Sequence, residues 1–402
     1  MIMPGDGPLF HALKDDAGEY NLTVCEPSGN ATTYRIGSLV GLCWGEETPE
    51  PIIDRIASPS TRIITLTITE GGYKVNPDQI GTVFWYVAEG LKRRMAAGLP
   101  VTILSCDNLQ HNGATAREAF MSYFRLKCPD VARWAEENVT FPNSMVDRIT
   151  PATRSGCITN VHCEDFIQWV VEDNFIAGRP EWEKVGVQFT MDVTPYENMK
   201  LSLLNASHTL LSYPSYLEGF RKVDEVLSDA RYRSLIKTFM DVDVPPYVPA
   251  PAGIDLAEYK AALLRRFSNK AISDQVSRLC GDGVAKFAVY VVPTLSKMLR
   301  DGRDTVRLAF LLASYTKYLV TAHTEAGEVI DIFEPHLTTD DKALLTECAS
   351  LARAAALLPE DVADKSLGLS VFKSLPLAEC PDFMRKYHLF CAIPVARGLE
   401  LM

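Results

Sequence analysis

Three polar residues interrupt the apolar run "KLSLLNASHTLLSYP" from Lys200 to Pro214: Lys200, Asn205 and His208. At roughly 100° per residue they fall within about 140° of one another on a helix, among Leu201, Leu203, Leu204 and Leu210. A lysine can act as a base near neutral pH when burial or nearby positive charge lowers its pKa. An asparagine and a histidine beside it could orient a substrate hydroxyl. The same spacing also suits a partly solvated helix face, so the chemistry needs further support.

The elements that must position such a face can be read along the chain. "TRIITLTIT" (61–69) alternates Ile64, Leu66 and Ile68 with Thr65, Thr67 and Thr69, the period of a strand. "TVFWYVAEGLKRRMAAGL" follows with helical periodicity, then the short strand-like "PVTILSCDN". Strand, helix, strand reads as a βαβ crossover, hence a parallel sheet. Both strands end in polar, turn-prone segments, Glu70–Tyr73 and Ser105–Asn108. Ligands of open parallel sheets bind at the carboxyl ends of strands, so these are candidate site loops; as plain turns they would only punctuate the sheet.

After "FPNSMVDRITPAT" the pattern changes. "CEDFIQWVVEDNFIAG", "DLAEYKAALLRRFSNKAISDQVSRLC" and "TVRLAFLLASYTKYLVTA" carry apolar stripes at helical spacing. The expectation is an α/β domain with a parallel sheet over 1–149 and a mainly helical domain over 150–402. A 402-residue chain that is 47% hydrophobic can bury two such cores. Its net charge of -11 argues against nucleic acid and anionic membranes as partners. No apolar run reaches the roughly 18 residues of a membrane span. The N-terminus lacks the pattern of a signal peptide. Ten scattered cysteines without a CxxC pair suggest a reducing, cytoplasmic setting, and no zinc constellation stands out, Cys157 and Cys163 included.

Lys200, Asn205 and His208 match the K-x4-N-x2-H pattern of the polyol-specific long-chain dehydrogenases, the mannitol 2-dehydrogenase family. The resemblance extends in family order through "TLTITEGGY", "SCDNLQHNGATAREAF", "FPNSMVDRITP", "WEKVGVQFTMDVTPYENMKLSLLNASH" and "RFSNKAISDQVSRLCGDGVAKF". It implies an NAD-dependent enzyme, with NADP as the other option, that interconverts a polyol and a ketose, D-mannitol and D-fructose first. It implies Lys200 as general base, Asn205 and His208 as binders of the reacting oxygen, and Asn108 as a stabiliser of the developing oxyanion that also borders the cofactor. Asp147 and Arg278 match positions that contact the polyol chain, although Arg278 could instead pair with Asp274 and Asp147 could be a cap. No metal is implied, and members of the family are often monomeric.

The chain departs from the family at its start. No G-x-G-x-x-G turn lies near the N-terminus, so the Rossmann-type domain is expected to lack its first βα unit. "MIMPGDGPLF" resembles the region after the second Rossmann strand, where an acidic residue reads the adenosine ribose. This makes Asp6 a cofactor-binding candidate beside Glu70, and favours NAD over NADP. Three readings of the short start compete: an internal methionine of a longer gene, a natural short form, or a segment supplied by a partner subunit. Alternatives for function are a non-catalytic remnant with an impaired cofactor site, a hexuronate reductase, or an arabinitol dehydrogenase.

Overall fold

The computed structural model describes residues 6–151, 158–352 and 357–402, apart from the side chain of Glu70. Two compact units are present, one of Met1–Glu26 and Asn30–Glu197, the other of Pro27–Gly29 and Asn198–Met402.

The first unit contains the βαβ crossover that the sequence announces. Strand β3 (Ile63–Leu66) leads through helix α3 (Val83–Ala97) into β4 (Val101–Ser105), and β3, β4 and β5 (Val139–Thr140) form a parallel sheet in that order. The α3 helix starts where Thr82 Oγ1 accepts from Trp85 N at 3.3 Å, and stops at Gly98, whose φ of 67° requires glycine. Helices α4 (Asn112–Lys127) and α5 (Pro129–Asn138) follow β4. Leu91, Val101, Ile103, Phe120 and Phe124 are fully buried at the centre of this core. Arg94 is buried too. It donates to the carbonyls of Ile56 (2.8 Å), Ser58 (2.9 Å), Leu99 (3.0 Å) and Pro100 (2.6 Å), fastening the turn between α3 and β4 to the end of α2 (Glu50–Ala57).

Two small sheets complete the unit. Strands β1 (Tyr20–Cys25) and β2 (Ala31–Ile36) form an antiparallel hairpin, and β1 pairs in parallel with β7 (Asn160–Glu164). Strand β6 (Ser144–Asp147) is antiparallel to β8 (Gln168–Glu172), which is parallel to β9 (Gln188–Thr190). The helical stripe expected over "CEDFIQWVVEDNFIAG" is therefore corrected to two strands. Cys163, Val170 and Val171 sit at helical spacing, but pairing with β1 and β6 buries them in sheets. Long-range pairing overrides a local period here. Because these strands belong to the first unit, its compact part runs to Glu197, whereas the sequence expectation changed domain at 149/150.

The second unit is helical. Its centre is the Val306–Thr321 helix, buried at every position but the first and the last, which packs against the Ala206–Leu217 and Pro381–Cys391 helices. Such a helix is apolar all round because no face meets water. Its two cations have dedicated partners. Arg307 forks onto Asp243 (2.5 and 2.7 Å), and Lys317 donates to the carbonyl of Ile393.

Close approach of α2 and α3 depends on Gly90, where an added Cβ would lie 2.2 Å from Cγ2 of Ile56. Gly90→Ala should overpack this contact and cost about 1–3 kcal/mol, seen as a lower urea midpoint with unchanged m-value.

Candidate active site

The first unit brings its site loops together through one carboxylate. Asp107, just past the end of β4, accepts from the backbone N–H of Ile68 (3.1 Å) and Thr69 (2.8 Å) and from the Tyr73 hydroxyl (2.6 Å). The segment after β3 is thus tied to the segment after β4. Thr69 has φ 61° and ψ 171°, a region nearly confined to glycine, and Asp107 holds its N–H there. The Glu70–Tyr73 turn that follows is a 3-10 helix. Tyr73 OH also bridges to Ser105 Oγ at 2.7 Å, and burial, then the bond to Asp107, raises its pKa well above the ordinary range, so it stays protonated.

Asn112, fully buried at the start of α4, gathers the carbonyls of Ser105 (3.1 Å), Asp107 (3.0 Å) and Ser144 (2.8 Å) with its amide nitrogen. Its oxygen accepts from Ser144 N at 2.9 Å. The loop bearing Asn108 and the strand bearing Asp147 are therefore anchored on one side chain. Asn108 is half-buried, and Asp147 is buried at the end of β6. Asp6 is exposed at the N-cap position of α1 (Gly7–Asp15), where its side chain makes no capping bond. The Glu70 side chain lies outside the described residues.

In the second unit, Lys200–Asn205 is one turn of π-helix leading into the Ala206–Leu217 helix, and the N–H of Ala206 bonds to Leu201 O five residues back. This revises the α-helical spacing taken from the sequence. On an α-helix, residue i+5 is rotated by about 140° from residue i; an i→i+5 ladder instead brings it nearly above residue i. The turn therefore brings Asn205 closer to the Lys200 side than regular winding would, with His208 three residues further along. Lys200 is buried. Asn205 Oδ1 is buried and has no hydrogen-bond partner, an acceptor still available to a ligand.

His208 is buried against the Phe267 ring, with centroids 4.2 Å apart. Burial drives its pKa down to about 3. The Asp274 charge opposes this, while Arg278, Arg266 and Lys286 reinforce it. The imidazole is accordingly neutral near pH 7. Arg278 lies on the Val276–Cys280 helix, which packs against the His208 helix. Its guanidinium pairs with Asp274 through Nε at 2.9 Å and a second bond from Nη2. The pairing that the sequence left as an alternative is thus present.

Sequence reasoning missed Phe267, Arg266 and Lys286 around His208. Lys286 caps the end of the Arg278 helix, donating to the carbonyls of Arg278 (3.2 Å), Leu279 (2.9 Å) and Gly281 (2.5 Å), and burial followed by Arg278 lowers its pKa. The signal available was its place in "GDGVAKF", eight residues after Arg278.

Among the described residues, Glu360, Asp364 and His388 form a group of possible metal ligands on other helices. Both imidazole nitrogens there already face carboxylates, at 3.3 and 2.6 Å, so the group reads as an ion-paired histidine. No helix among the described residues is long and apolar enough to cross a membrane.

The burial of neutral His208 has a measurable consequence. Below about pH 6.5 the unfolded chain takes up this proton, whereas the folded chain resists until about pH 3. Stability should therefore fall as pH drops through that window, by up to about 1.4 kcal/mol per pH unit from this group. Urea unfolding at pH 7, 5 and 4 should show a shallower decline for His208→Asn than for the parent.

Comparison with known proteins agrees with these observations. Residues 7–184 match the mannitol dehydrogenase Rossmann domain, and residues 192–367 match the mannitol dehydrogenase C-terminal domain. The polyol:NADP oxidoreductase of Gluconobacter oxydans (strain 621H) is 39% identical over 348 residues, covering 79% of this chain and 72% of that protein. Mannitol 2-dehydrogenase of Phaeosphaeria nodorum (strain SN15 / ATCC MYA-4574 / FGSC 10173) is 34% identical over 398 residues, covering 90% and 70%. Among solved structures, Pseudomonas fluorescens mannitol 2-dehydrogenase, in ternary complex with NAD and D-mannitol, superimposes with a TM-score of 0.85 at 34% identity, over 99% of this chain and 86% of that one. Substrate-free D-sorbitol dehydrogenase gives 0.84 at 35%, over 100% and 86%. With a Rossmann-type unit, a helix-rich unit and relatives of this identity and coverage, the chain belongs to the mannitol dehydrogenase family of oxidoreductases.

Proposed function

We propose that the protein is an NAD-linked polyol–ketose oxidoreductase, with D-mannitol and D-fructose as the preferred pair and Lys200 as the general base. The observation that carries this reading is the unspent acceptor Asn205 Oδ1, at the end of the π turn that begins at the buried Lys200. A buried oxygen without a partner is costly unless a ligand satisfies it.

Lys200, as a neutral amine, takes the hydroxyl proton at Nζ. Asn205 fixes the reacting hydroxyl. Neutral His208 holds the same oxygen as a hydrogen-bond partner, since an imidazole with a pKa of about 3 keeps one ring N–H to donate but has no imidazolium proton to transfer at neutral pH. Asn108, on the loop set by Asp107 and Asn112, is the donor assigned to the developing oxyanion. Asp147 and Arg278 are assigned to the remaining hydroxyls, with Asp274 keeping the guanidinium oriented.

The carboxyl ends of β3 and β4, fastened by Asp107, suit the nicotinamide end of a dinucleotide, because open parallel sheets bind ligands there. The residues that would border it are Glu70 and Asn108, with Asp6 as the acidic group for the ribose. A bound nicotinamide would supply the hydride acceptor. The NAD and D-mannitol held by the Pseudomonas fluorescens enzyme support this choice, whereas the Gluconobacter relative is named for NADP. The exposed carboxylate of Asp6 favours NAD, because it would repel a 2′-phosphate. Lys200 performs the deprotonation that a metal assists in other alcohol dehydrogenases, so the mechanism requires no metal. The cytoplasmic setting and monomeric state belong to the same proposal, the former resting on the scattered cysteines.

Replacing Lys200 by Ala should lower kcat for D-mannitol oxidation by about 10²–10⁴-fold or more. NADH affinity, followed by nicotinamide fluorescence, should stay within about threefold of the parent. A variant that keeps most of the parental rate would remove Lys200 as the base. Comparing kcat/KM for D-mannitol and D-arabinitol with each cofactor tests substrate and cofactor together.

A further inference from the structure

His208 is held in its site without a hydrogen bond. Among the described residues, neither of its imidazole nitrogens has a hydrogen-bond partner. Other histidines of the chain are tied by a ring nitrogen. His323 Nδ1 lies 2.6 Å from the carbonyl of Thr321, and His388 Nε2 lies 2.6 Å from Asp364. A bond of that kind fixes the plane of the ring and decides which nitrogen carries the proton. His208 is buried and lacks it, so another contact must set its plane.

That contact is Phe267. The two ring centroids lie 4.2 Å apart, with 34° between the planes. Phe267 is only 2% exposed, at the end of the Leu256–Phe267 helix and inside the core of the second unit. A ring fixed at this distance restricts rotation of the imidazole about χ2 and asks nothing of its nitrogens. The imidazole is also neutral near pH 7, with Asp274, Arg278, Arg266 and Lys286 acting on it, so it carries one N–H and one lone pair.

We propose that Phe267 is the positioning residue of His208: its ring sets the imidazole plane, and the polyol hydroxyl that His208 binds selects the tautomer. The identity of that ligand rests on the proposed function, whereas the stacking and the uncommitted tautomer do not. A backbone carbonyl on one nitrogen would commit the ring in advance. Without it, the nitrogen that meets the substrate takes the N–H and donates to its oxygen, and the other keeps the lone pair. The proton count of the ring is unchanged.

Two-bond 1H–15N correlation spectra of histidine-labelled protein read the tautomer, with His208→Asn identifying the signal. In the ligand-free parent at pH 7 both tautomers should be populated, and D-mannitol with NADH should leave one dominant. A single tautomer in the ligand-free parent would overturn the proposal. Phe267→Leu should lower kcat/KM for D-mannitol by about 10–100-fold, mainly through kcat. Phe267→Tyr, which keeps an aromatic face, should stay within about threefold of the parent. In the His208→Asn background the Leu substitution should cost less than about threefold. An equal cost in both backgrounds would make Phe267 plain core packing and overturn its positioning role. Phe267→Met, of similar volume, replaces the Leu variant if that one fails to fold. A parent without polyol activity would count against the proposed function instead. The order parameter of the His208 ring Cδ2–H then decides, because it should fall in the ligand-free Phe267 variant, and an unchanged value would overturn the proposal.

Discussion

The carboxylate of Asp107 is the constraint on which the first unit's site loops depend. A parallel sheet fixes the direction of its strands but not the path of the chain beyond them, and loops at strand ends are free to spread unless something ties them. Asp107 does so with two oxygens and three bonds, to Ile68 N, Thr69 N and Tyr73 OH. Without it the Thr69 backbone would have little reason to remain in a conformation that costs of order 1–3 kcal/mol. Asn112 performs the matching task on the other side, reaching Ser105, Asp107 and Ser144 at once. Asn108 stands beside this lattice and inherits its rigidity, which the oxyanion role proposed for it would require.

The second unit organises its polar groups by a different physical means. Its cations are placed where water is scarce and then given backbone carbonyls or single carboxylates as partners. Lys286 has three carbonyls, Lys317 has that of Ile393, and Arg307 has Asp243. Burial lowers the pKa of both lysines. The same desolvation keeps His208 neutral, against the pull of Asp274. If Lys200 is the base proposed for it, a neighbouring imidazole that stays neutral does not compete for the proton. Asn205 Oδ1 differs from these groups: with Ser207 Oγ, Asp224 Oδ1 and a few others, it is a buried polar atom that the protein leaves without a partner.

Much of this was legible in the sequence where the relevant signal is local. The alternation from Ile63 to Ile68, the crossover helix and the second strand follow from side-chain periods, and the Lys200–Asn205–His208 spacing marks one face. Other features depend on distant partners. Cys163, Val170 and Val171 have helical spacing, yet β1 and β6 recruit their neighbourhood into sheets. Lys286 looks like a surface lysine until three carbonyls converge on it, and Phe267 gives no hint in the chain that it covers His208. The pairing of Arg278 with Asp274 was foreseeable from their spacing of four, because both lie within one turn.

The π turn at Lys200 is the feature that neither pattern nor propensity could have supplied. An i→i+5 turn within an α-helix sacrifices favourable backbone geometry and survives only where packing fixes it. The second unit has two more such segments, Phe239–Asp243 and Phe287–Val291, and the latter packs against Lys200–Asn205. Buried Leu201, Leu203 and Leu204 on one side and buried Phe287 and Val291 on the other make the two irregular turns mutually supporting. What the helix gains is registration: the i→i+5 turn shifts Asn205 closer to the Lys200 side than regular α-helical winding would. The face on which these three residues were read is therefore tightened by a departure from the period by which they were first read.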